Sequence, residues 1–144
     1  MKILYLTLLA LSLVLVAQSV WAEDSIIPIQ TIILEAQGES LEGQIAVGEV
    51  IRNRAKRGDL SHEAVCMAYK QFSAWNSASN AKLRLSLVSG NTWQRASKAW
   101  NESVRTNITE GATHYFNPML ANPSWARSMV KTAVIANHTF YKEA

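Results

Sequence analysis

Residues 32–54, IILEAQGESLEGQIAVGEVIRNR, decide the fold. Ile29, Ile32, Ile33 and Ala36 recur at i, i+3, i+4 and i+7, the spacing of an apolar helical stripe. Pro28 stands at the start, where a helix tolerates proline because its first N–H groups have no internal partner. The stripe stops at Gly38, which is expected to close the helix in the left-handed conformation. Ser40 is then placed to cap a second helix carrying Leu41, Ile45, Val47, Val50 and Ile51, which ends at Arg57–Gly58.

Two carboxylates flank this corner. Glu35 falls in the last turn of the first helix, where the dipole opposes a negative charge, so it suits a general acid. Glu39, near the start of the next helix, has the opposite setting and is expected to stay ionised. Spacing alone favours reading both as ordinary exposed helix-end residues.

Outward from the corner, residues 1–22 read as a leader. Lys2 precedes a nearly unbroken apolar run from Ile3 to Ala17, and Val20-Trp21-Ala22 forms a small-residue cleavage site. The run is short for a membrane-spanning helix, which needs about 20 apolar residues. An uncleaved anchor is the rival. The expectation is an exported chain, periplasmic or extracellular, with residues 23–144 as a single domain and no stable membrane association after cleavage. Removing Lys2 lowers the net charge from +3 to +2, mildly basic and suited to an anionic polymer, with no implication of nucleic acid. The single Cys66 cannot form an internal disulfide and reads as a buried small hydrophobe inside a helix over Glu63 to Tyr69 capped by Ser61.

Arg52, Arg54, Lys56 and Arg57 complement the dipole at the end of the second helix and read by default as a solvated face, with Asn53-Arg54 also open to a role bracing the site. Gln71-Phe72-Ser73-Ala74-Trp75-Asn76, running into a Ser/Asn-rich loop over Asn76 to Asn80, mixes aromatic and amide groups as carbohydrate sites do. Phe72 and Trp75 fit a core role equally well. A short helix over Lys82 to Val88 and another capped by Asn91 or Thr92 follow, the latter with Trp93, Ala96, Trp100 and Val104 on its core face. The last third turns β-prone: a strand over Thr113 to Phe116, then a hairpin of Val130 to Ile135 and His138 to Tyr141 around Ala136-Asn137. The loop Asn117 to Trp125 is placed to line a cleft. The fold class is therefore α+β, a helical majority with a small antiparallel sheet.

The three histidines, His62, His114 and His138, form no zinc-type spacing, so no metal is expected. His138 is expected to hold the hairpin to the helical part by a hydrogen bond. There is no G-x-S-x-G elbow, and no phosphate or dinucleotide fingerprint, so no cofactor is expected.

Glu35, Ala36, Gly38, Glu39, Gly43, Gln44, Ala46, Val47, Val50, Asn53 and Arg54 fall on the pattern of the SleB-like, spore cortex-lytic type of cell wall hydrolase. Gln71-Phe72-Ser73, the segment from Gly111-Ala112 to Asn117-Pro118, Asn137-His138 and Phe140-Tyr141 follow in order. The chain resembles that family from Ile29 to Tyr141, with Gln37 where the family usually has Arg and Ala136 where it usually has Gly. The resemblance implies a lysozyme/transglycosylase-like domain, working as a monomer on peptidoglycan glycan strands. It implies cleavage between N-acetylmuramic acid and N-acetylglucosamine by lytic transglycosylation, with Glu35 as the catalytic acid and base. Glu39, Gln71, Phe72, Ser73 and Tyr115 are then expected to meet substrate, although Tyr115 equally suits the core. A hydrolytic muramidase pairing Glu35 with Glu39, and a non-catalytic wall-binding protein of the same fold, remain open.

Overall fold

The structure, a computed structural model, describes residues 26–144; the expected leader lies outside the described residues. Helix α1, Ile26–Ala36, buries Pro28, Ile29, Thr31, Ile32, Ile33, Leu34 and Ala36, so it is enclosed on nearly every side. It ends without a left-handed residue. The Glu39 N–H donates to the Ala36 carbonyl at 3.0 Å, closing a tight turn, and Gly38 keeps a negative-φ backbone. The expectation for Gly38 is thus corrected: the turn needs no positive φ, and Gly38 instead leaves open space where a Cβ would stand.

Ser40 caps α2, Leu41–Gly58, by accepting from the Gly43 N–H, and Asp59 in the left-handed region ends it. α3, His62–Met67, is capped by Ser61 as expected. The Ser/Asn-rich stretch read as a loop is instead a 3₁₀ turn over Ser73–Asn76 followed by α4, Ala78–Ser86. Ala78, Lys82, Leu83, Arg84 and Leu85 are good helix formers and carry the helix through the polar residues before them. α5, Gly90–Glu102, is capped by Ser89 rather than by Asn91 or Thr92. Its Ala96 and Trp100 are buried, but Val104 lies beyond the helix and is 65% exposed.

Three short strands complete the fold. β1, His114–Phe116, pairs antiparallel with β3, His138–Lys142, which pairs antiparallel with β2, Val130–Ile135, giving the order β1-β3-β2. Ala136 alone of the two hairpin-loop residues has positive φ, +51°, the pattern of a II′ connection. The register breaks between Lys131 and Ala133. A 3₁₀ turn over Ser124–Ser128 brings Trp125 onto the outer face of the sheet, against Phe116 and Tyr141. Trp125 therefore packs rather than ending a free cleft-lining loop.

Helix α2 is the shared wall between the two layers. Val47, Ile51 and Ala55 join the helical core with Ile32, Ile33, Cys66, Phe72 and Trp100. Ala46 and Val50, on another side of α2, pack on Ala112 and Phe140 of the sheet layer. Fully burying a side chain such as Phe140 contributes about 1.5–3 kcal/mol. Cys66 is completely buried, and burial pushes its thiol up to about 11, so it stays neutral packing material. Among the described residues no helix is long and apolar enough to cross a membrane.

Candidate active site

Glu35 is the partly exposed member of a buried run, with Leu34 and Ala36 on either side inside the core. Both of its oxygens have donors. The Ala74 N–H donates to Oε1 at 3.1 Å, and the Tyr115 hydroxyl donates to Oε2 at 3.4 Å. Ala74 belongs to the first turn of the 3₁₀ segment, whose leading N–H groups have no partner within the helix. That turn is docked one helical turn upstream as well. Thr31, four residues before Glu35 and on the same face, accepts from Trp75 Nε1 at 2.9 Å. Trp75 is thereby an anchor of the turn rather than a free aromatic platform.

Tyr115 reaches Glu35 from β1. Its ring stacks on Phe140 with centroids 5.5 Å apart and meets the His138 ring edge-on at 5.1 Å. Burial first, and then the Glu35 carboxylate, push the phenol well above its ordinary range, so it remains a donor.

Glu39 is held differently. Its carboxylate accepts from Asn137 Nδ2 at 3.1 and 3.2 Å and from the Asn137 backbone N–H at 3.4 Å. His138 Nδ1 stands 3.7 Å from Glu39 Oε1. Burial lowers the His138 imidazole below 6.5 against the opposing pull of Glu39 and Glu35, so the ring is neutral at pH 7. The hairpin tip is therefore tied to the α1–α2 corner by Asn137, with neutral His138 packed behind it. The tie expected of His138 belongs to its neighbour.

Of the other expected contact residues, Ser73 is exposed at the start of the 3₁₀ turn, and Gln71 is exposed beside it. Phe72 requires correction. It is 3% exposed and lies in the helical core beneath the Arg54 guanidinium, 4.8 Å from the ring centroid, so it packs and offers no face to a ligand.

With this geometry in view, the profile of the family described as cell wall hydrolase matches residues 38–141. The chain belongs to the cell wall hydrolase family. The match takes in Glu39, Gln71, Tyr115 and Asn137 and begins just after Glu35, whose place rests on the structure. The catalytic domain of Bacillus cereus SleB is 28% identical, with a TM-score of 0.63 over 81% of this chain and 90% of that one. The catalytic domain of the germination-specific lytic transglycosylase SleB from Bacillus anthracis is 27% identical, with a TM-score of 0.67 over 83% and 93%. Comparison with curated proteins returns no match.

This cell wall hydrolase also relies on residues whose roles the sequence pattern hides. Arg54, a solvated-face residue by default but a bracing one by its place in the family pattern, donates from Nε to the Thr113 carbonyl at 2.6 Å and from Nη1 to the Gln71 carbonyl at 3.2 Å. It thus ties together the two segments that bring Tyr115 and Ala74 to Glu35. Arg52 likewise lies over Trp100 and bonds Ser103 Oγ and the Trp100 carbonyl. Glu49 is a residue that sequence reasoning missed. It is 3% exposed and accepts from the Ile108 and Thr109 N–H groups and the Thr109 hydroxyl, fixing the approach to β1. A carboxylate between Gly48 and Val50 in an apolar helix was the available signal. A cavity of about 710 Å³ at the start of α1, lined by Ile26, Trp93 and Arg105 among others, includes none of the residues around Glu35.

Proposed function

We propose that this cell wall hydrolase is an exported peptidoglycan lytic transglycosylase with Glu35 as its only catalytic acid and base. The observation that carries the reading is the contrast between the two carboxylates. Glu35 sits partly exposed between two donors from separate segments, whereas Glu39 is committed to Asn137. One positioned carboxylate suits transglycosylation. Protonated Glu35 gives its proton to the glycosidic oxygen as the bond to the muramic C1 breaks and the N-acetylglucosamine 4-hydroxyl leaves. The resulting carboxylate takes the proton from the muramic C6 hydroxyl as O6 closes on C1, forming a 1,6-anhydro sugar and regenerating the acid. The attack is intramolecular, so no second carboxylate has to hold a water.

The Bacillus anthracis relative is a lytic transglycosylase, which supports the same reaction here. Ala74 N–H and the Tyr115 hydroxyl stabilise the carboxylate after it has given its proton. Ser73 and Gln71, exposed beside Ala74, are the proposed sugar contacts, and the open face over Gly38 leaves room for the strand. The leader-like residues 1–22 and the mildly basic remainder support action on an anionic wall outside the cytoplasm.

Glu35→Gln tests the reading. The amide keeps the shape but cannot exchange the proton, so wall lysis is expected to fall by about 10²–10⁴ with the fold intact by circular dichroism. Mass spectrometry of native digests is expected to show 1,6-anhydromuropeptides. A folded, fully active Glu35→Gln protein removes Glu35 from the role, and reducing muramic acid ends from the native enzyme replace transglycosylation with hydrolysis.

A further inference from the structure

We infer that the cavity at the C-terminal end of α2 is a carboxylate-binding subsite that takes the peptide stem carried by muramic acid. The ligand is named from the proposed peptidoglycan substrate, so the inference rests on that reading. The cavity measures about 440 Å³, within the roughly 300–1,000 Å³ usual for small-ligand sites. Arg54, Arg57, Thr113 and His114 supply its polar wall, Val65 and Ala68 part of its apolar one, and no acidic residue lines it. A second cavity of about 360 Å³ shares Arg57 and Thr113 and adds Lys56, which extends the basic surface.

Two further observations point to a carboxylate. Arg57 is already paired with one, that of Glu143, and both side chains are about half exposed, 53% and 50%. Glu143 lies outside the cavity lining, and the pair is open enough for an incoming carboxylate to displace it. Arg54 uses Nε and Nη1 on the Thr113 and Gln71 carbonyls, and a guanidinium has five N–H groups, so the same fork has donors left to give.

The cavity also shares chain segments with the site around Glu35. Gln71 lies three residues before Ala74, and Thr113 two before Tyr115, so the two segments that Arg54 joins at the cavity are the ones that carry the donors to Glu35. A stem of three or four residues spans about 10–14 Å when extended.

The test is a titration monitored by backbone amide NMR on the full-length Glu35→Gln protein, which binds without turning over. The probes are L-Ala-γ-D-Glu-L-Lys-D-Ala, its form with both carboxylates converted to carboxamides, and a glycerol phosphate oligomer. The free peptide is expected to shift the amides of Gln71, Thr113 and His114, and the amidated form to bind about tenfold more weakly. Adding Glu143→Gln releases Arg57 and is expected to tighten binding several-fold; adding Arg57→Gln weakens it about five- to tenfold. Arg57 is exposed, so its loss leaves the fold in place, whereas Arg54 braces the chain and is not the residue to change. Equal binding of the two peptides, tighter binding of the phosphate oligomer, or no response at those amides overturns the inference. Such a failure leaves the role of Glu35 standing, while a wall digest without anhydro products removes the transglycosylase reading even if the stem binds.

Discussion

Glu39 shows how far a side chain's role depends on a partner remote in the chain. Its oxygens face Asn137, 98 residues away, through both the side-chain amide and the backbone N–H. Glu39→Gln retains one acceptor oxygen but loses the charge, so the clasp weakens without disappearing. Activity is expected to drop by about tenfold or less, with 1,6-anhydromuropeptides still the product. Rates and product masses measured together check this, and a loss as deep as that of Glu35→Gln would make Glu39 a reacting group. Glu35 was singled out by the family pattern, since its place in a last helical turn leaves an ordinary helix-end residue open. Its donors were not, since the Ala74 contact is a backbone N–H that no side-chain pattern encodes. Phe72 was misread for a related reason: in Gln71-Phe72-Ser73 only the fold says which residue turns inward.

At the level of elements, the helix starts at Ser40 and Ser61 were legible from their caps, whereas the Ser89 cap of α5 was passed over for Asn91 or Thr92. Misplaced ends occurred where polar residues masked good helix formers, as in α4. The hairpin was found with its loop, but its strain was not. Ala136 sits at φ +51°, where a Cβ costs about 1–2 kcal/mol. Glycine there would relieve that strain, at about 0.4–1 kcal/mol of added unfolded-state freedom. Ala136→Gly is therefore expected to raise stability by about 0.5–1 kcal/mol, read from urea unfolding. An unchanged or lower midpoint would show that the methyl, seated near Gly43 of α2, contributes more by contact than it costs in strain.

Across the molecule, two histidines link stability to pH. Burial holds both His114 and His138 below their ordinary 6.5. Between that value and the lower folded-state ones, the unfolded chain binds more protons than the native one, so stability falls as pH falls. Their contribution is complete above about pH 6.5 and is lost progressively in more acid solution. The melting temperature is expected to decline from pH 7 to pH 5, and His138→Gln to flatten that decline. A slope unchanged by the substitution would assign the effect elsewhere. The two-layer plan was readable from the switch between helical and alternating patterns, but α2 as the wall common to both layers was not, because one helix periodicity cannot announce two different neighbours.

The Asn137 clasp on Glu39 bears on when the molecule acquires its activity. The corner that presents Glu35 belongs to the first part of the domain to be synthesised, yet it is completed by Tyr115 and then by a hairpin tip 98 residues beyond Glu39. A growing polypeptide therefore carries its proposed acid, and the Ala74 donor to it, long before Tyr115 and the hairpin tip complete the corner. Completing the corner waits on closure of one of the longest loops in the chain, so the whole arrangement exists only once almost all of the domain has been made.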